Sequence, residues 1–160
     1  MSGDLFRNLL AGIAVLALAA GAAARNGLWQ DAVLLGTDVA TKSPAKARAY
    51  HDLGCYYFQK DKLDEARTLF GTAVRLNPRY ARAWCNLGAV YLREGFIDTA
   101  LAYLRRAEEL DPSIAVVHFN LGLAYQAREE REQAARHYAT ACSMGHEEAC
   151  TEHAAMDNVR

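Results

Sequence analysis

From Ala47 onward the apolar positions fall at helical spacing, and the same pattern then returns twice. A shift of 34 residues aligns Ala47–Tyr80, Ala81–Ile114 and Ala115–Glu148. Leu53-Gly54, Leu87-Gly88 and Leu121-Gly122 come into register, as do Tyr57, Tyr91 and Tyr125. Further along each unit, Ala66, Ala100 and Ala134 align, then Phe70, Leu104 and Tyr138, then Ala73, Ala107 and Ala141. The early set of Leu, Gly and Tyr shares one face of a helix at about 3.6 residues per turn. The later set marks the buried stripe of a second helix. The pattern therefore predicts three stacked helix pairs.

The residue choices explain how each pair closes. Glycine leaves room for a neighbouring helix to approach the backbone, and the alanines do the same on the second helix. Phe70 and Leu104 fill the space between them. Asn77-Pro78 and Asp111-Pro112 end helices, because a residue before proline avoids the α region. Gly95 breaks the chain inside the middle unit. Asp61 and Glu129 hold that place in the other two, where the turn is less clearly marked.

This pattern resembles the tetratricopeptide repeat (TPR) family. Trp84-x-x-Leu87-Gly88-x-x-Tyr91, Ala100-x-x-x-Leu104 and Pro112 match it best, and the likeness spans residues 47–148. Tyr50 and His118 depart from it at the Trp84 position, and His146 stands where a third proline belongs. The resemblance implies an all-α, right-handed solenoid with repeats at 47–80, 81–114 and 115–148. Pro44 and the Asp31-Ala32 pair extend the register upstream, so residues 25–46 read as a half repeat and linker. Residues 149–160 read as the capping helix that a solenoid end needs.

The N-terminal residues 1–24 follow a different logic. No charge occurs from Asn8 to Ala24, and the run ends in Gly21-Ala22-Ala23-Ala24 before Arg25. A positive start, an apolar core and a small-residue exit describe a signal peptide. A retained membrane anchor and a buried helix of a cytosolic protein are the other readings. The first two would put the repeats outside the cytoplasm, soluble after cleavage near Ala24 or tethered to the inner membrane.

Charge narrows the partners. With 18 Lys plus Arg against 19 Asp plus Glu, the net charge is −1. That leaves no basic footprint for nucleic acid. Catalytic patterns are absent too: there is no Gly-rich phosphate loop, no Gly-x-Ser-x-Gly elbow and no Cys-x-x-Cys-His haem motif. His51, His118 and His137 stand singly in the sequence and read as packing or surface residues. The chain is accordingly read as a non-enzyme with no cofactor and no metal.

Cys142 and Cys150 resemble the paired cysteines of Sel-like repeats, and that likeness implies a disulfide from one helix to the next. Half-buried thiols, or a zinc set completed by His146 and His153, are the other readings. Cys55 and Cys85 read as reduced packing residues, with a second bridge or a reactive site as the alternative.

The resemblance also implies a binding groove lined by the first helix of each unit. Its inward offsets carry Arg48, His51, Cys55 and Phe58, then Arg82, Asn86 and Leu92, then Val116, Phe119, Asn120 and Leu123. Apolar character grows toward the third unit. The terminal-carboxylate clamp of chaperone-binding members is not expected, since only Asn86 matches it. The expected function is an exported adaptor that holds a peptide segment or helix of a partner protein in the groove. The alternative is an accessory subunit of a membrane or envelope complex, docked through its N-terminal helix.

Overall fold

The computed structural model describes residues 47–157. The targeting segment and the half repeat expected before Ala47 lie outside the described residues, as do residues 158–160. The described chain folds as α1 (Ala47–Gln59), α2 (Leu63–Leu76), α3 (Ala81–Arg93), α4 (Ile97–Leu110), α5 (Ala115–Ala127), α6 (Arg131–Ser143) and α7 (Glu147–Asp157). No strand occurs among the described residues. Consecutive helices pack as pairs, α1 on α2, α3 on α4 and α5 on α6, with α7 added against α6.

Glycine makes each pair close. A Cβ on Gly54 would stand 2.6 Å from the Phe70 ring, one on Gly88 2.7 Å from Leu104, and one on Gly122 2.5 Å from the Tyr138 ring. Phe70, Leu104 and Tyr138 are fully buried. The aligned glycine and large residue are thus one device used three times: the missing side chain of one helix is the socket for the other.

The connections between repeats are built locally. Asn77 and Asp111 are extended, with φ of −136° and −155°. The Asn77 side chain accepts from the Arg79 amide at 3.1 Å, and Asp111 accepts from the Ser113 amide at 3.0 Å. These Asx turns span the prolines and stop the helices. The Ser113 hydrogen bonds also hold the Asp111 carboxyl below its ordinary value.

Inside the repeats the turns converge on one backbone shape. Gly95 has φ of 82°, and Asp61 and Glu129 adopt 60° and 63° at the equivalent positions. Side chains strain the left-handed region by about 1–2 kcal/mol, of which glycine's extra chain entropy offsets part. Glu129 is exposed and outside the core. Glu129→Gly is therefore expected to stabilise the protein by about 0.5–1 kcal/mol in urea denaturation. A loss of stability would show that the Glu129 side chain contributes more than its backbone costs.

The inner and outer rows are unequal. α1 touches α3 and α3 touches α5, whereas contact among α2, α4 and α6 is at most marginal. A stack whose first helices stand closer together than its second helices curves toward α1, α3 and α5. These three helices line its hollow side.

Candidate functional site

Residues 34 apart form rungs along this inner row. Arg48, Arg82 and Val116 occupy the first turn of α1, α3 and α5, and all three are exposed. The Arg48 side chain is 85% exposed and lies 3.6 Å from Asp52. Together with His51 and Arg82 these residues line an open hollow of about 560 Å³ at the α1 end.

The next rungs turn partly inward. Asn86 donates to the Nε2 atom of His51 at 3.0 Å and to the Cys55 sulfur at 3.3 Å. The other ring nitrogen of His51 then carries the proton and meets Asp52 at 3.1 Å. Asn120 repeats the move one unit on, donating to the Cys85 sulfur at 3.4 Å. His51 and Asn120 are both buried. Of the residues expected in the groove, these two chiefly stitch one repeat to the next, because their polar atoms find partners there.

Cys55 and Cys85 are unbridged. Burial raises the Cys55 thiol above its ordinary value, with Asp52 adding to the effect. Burial pushes the Cys85 thiol up to about 11 against the opposing Asn120 hydrogen bond. Both stay protonated at neutral pH, which is the unreactive form.

The apolar part of the row lies toward the third repeat. Leu92, Phe119 and Leu123 are partly buried against the core, and Val116 is 40% exposed. Phe119 stacks on His146 with centroids 4.4 Å apart and stands 6.0 Å from Tyr138. Phe58 closes the far side of α1, with the Arg93 guanidinium 5.2 Å from its ring.

At the C-terminal end, Gly145 takes φ of 89° and turns the chain from α6 into α7. Cys142 and Cys150 thereby meet with their sulfurs 2.03 Å apart. Their geometry is compatible with the Sel-like pair. His146 is engaged elsewhere, with its Nδ1 atom accepting from the Ala149 amide at 3.3 Å.

Residues 51–115 match the family model described as tetratricopeptide repeat. Over those residues the chain is similar to tetratricopeptide repeats, and its fold is TPR-like. A solved structure of the first TPR of Spaghetti (RPAP3), bound to the HSP90 peptide SRMEEVD, superposes with a TM-score of 0.67 at 22% identity. The match covers 71% of this chain and 92% of that one. The crystal structure of MamA matches with a TM-score of 0.64 at 27% identity, covering 75% of this chain and 70% of that one. No curated protein sequence matches significantly. The TPR array accounts for the all-α fold and for the rungs of the inner row.

Two histidines read as solitary are not. His118 and His137, on α5 and α6, bring their Nδ1 atoms to 3.4 Å from each other. The repeat shift carried the signal: Trp84 and Tyr103 sit 34 residues before them and form the equivalent ring contact in repeat two.

Proposed function

We propose that this chain is a non-catalytic protein-binding adaptor whose TPR groove holds an apolar or amphipathic segment of a partner. The observation that carries this reading is the change along the inner row, from Arg48 and Arg82 at one end to Val116, Phe119 and Leu123 at the other. A helix or extended segment laid along such a row can place apolar anchors at one end and acidic groups at the other. The RPAP3 neighbour binds a peptide, which supports a peptide partner here. A carboxylate clamp of the chaperone-binding kind does not fit, because Val116 and Asn120 stand where positive charge is needed and the Asn86 amide is already engaged. The N-terminal sequence supports an extracytoplasmic setting, soluble or tethered to the membrane.

Phe119→Glu with Leu123→Glu tests the groove. Burying two carboxylates in an apolar contact should weaken partner binding by at least about 30-fold, as loss of a hot spot does. Crosslinked capture from the native cell, wild type beside the double variant, reads the effect. Circular dichroism checks that helical content is kept. Partners retained by a folded double variant would overturn the groove and move the interaction to the N-terminal segment or the outer helices.

A further inference from the structure

We propose that Glu108, His118 and His137 form a binding site for a divalent transition metal of the zinc class, tying α4, α5 and α6 together across the boundary of the second and third repeats. This site is independent of the groove and of the partner reading.

The donors already form the right triangle. The His118 Nδ1 atom lies 3.4 Å from the His137 Nδ1 and 3.4 Å from a Glu108 carboxylate oxygen. The His137 Nδ1 lies 3.9 Å from the same oxygen. In a tetrahedral site with bonds of about 2.0–2.1 Å, neighbouring donors stand about 3.3–3.4 Å apart. Two edges match, and the third closes by a small movement of Glu108, whose side chain is 32% exposed. Two imidazoles and a carboxylate, with a fourth position left for water, are a familiar zinc ligand set.

Proton placement points the same way. His118 Nε2 stands 2.8 Å from the Pro112 carbonyl, which can only accept. The proton of the neutral ring is therefore on Nε2, and Nδ1 presents a bare lone pair. This is the outer-shell arrangement that orients a metal-ligating histidine. The bare Nδ1 then faces a carboxylate oxygen and a second imidazole nitrogen. With His118 neutral, one proton on His137 can bridge the two rings, but none is left to lie between His118 and the Glu108 oxygen 3.4 Å away. A cation at the centre satisfies all three lone pairs.

Set against repeat two, repeat three carries this chemistry in a matching frame whose equivalent positions are apolar or aromatic. In repeat two, Trp84 donates to the Pro78 carbonyl at 2.9 Å and packs on Tyr103 at 5.5 Å, and Tyr103 stacks on Tyr91 at 5.2 Å. In repeat three, His118 takes the place of Trp84 and bonds Pro112. It packs on His137 at 5.7 Å, and His137 stacks on Tyr125 at 5.3 Å. The remaining position changes from Val74 to Glu108. Backbone and stacking are retained while three apolar or aromatic side chains become three ligands at one point.

The test uses the full-length, untagged chain, stripped with a chelator and kept with its disulfide intact. Zinc is titrated in competition with a chromophoric chelator, and cobalt(II) serves as a spectroscopic probe. The expected result is one zinc per chain and tetrahedral cobalt bands without thiolate charge transfer. Glu108→Gln with His137→Gln should weaken binding by more than the ~10–100-fold that loss of an outer-shell partner costs. Glu108→Val, His118→Trp and His137→Tyr together rebuild the repeat-two arrangement, and should give a folded protein without the site. A wild type that takes up no stoichiometric zinc, or binds it no tighter than the double variant, would leave a plain histidine–carboxylate contact and overturn the proposal.

Discussion

Tyr138→Ala is expected to cost about 3–5 kcal/mol and to loosen the third repeat first. Tyr138 is the largest fully buried side chain among the described residues. Its ring fills the socket left by Gly122, and its hydroxyl donates to Gln126. Burial raises that hydroxyl well above the ordinary tyrosine range, so it acts only as a neutral donor. Alanine removes the ring without letting α5 and α6 collapse, because Leu121, Ala134 and Ala141 are already packed around it. Tyr138→Phe keeps the ring and should cost only about 1 kcal/mol for the lost hydrogen bond. Urea denaturation followed by circular dichroism separates the two. Repeats couple mainly to their neighbours, so a broadened transition is expected for the alanine variant. A loss below about 1 kcal/mol would mean that α5 and α6 are held chiefly by other contacts.

Removing the Cys142–Cys150 link comes next in size. Its two cysteines are 8 residues apart, and a loop this short supplies about 2–3 kcal/mol by restricting the unfolded chain. The effect should concentrate on α7, which has little else to hold it. Ala149 is its buried residue, and Met156 packs only partly against the core. Amide exchange after reduction, or in Cys142→Ala with Cys150→Ala, should show α7 losing protection while α1–α5 keep theirs. Unchanged protection in α7 would show that helix packing alone secures the end of the array.

The repeat unit and its packing rule are legible in the order of residues alone. Glycine against a large residue, alanine on the facing stripe and proline at the unit boundary recur at a constant shift. Each acts within a helix or between chain neighbours, so periodicity exposes it. The family resemblance, laid over that repeat, implied the inner row and the trend from Arg48 to Leu123.

Other features were settled only when the helices packed. Asp61 and Glu129 adopt the backbone of Gly95 because the helix pair must turn there, whatever the residue's preference. Asn86 and Asn120 reach back to His51 and Cys85 because repeat stacking brings those side chains within hydrogen-bond range. Glu108, His118 and His137 meet because α4, α5 and α6 converge at one repeat boundary. Helical periodicity tells which face a residue occupies, but not which atom of a neighbouring helix that face will meet. That second fact depends on the distance and angle between helices, which the buried residues of all the repeats fix together.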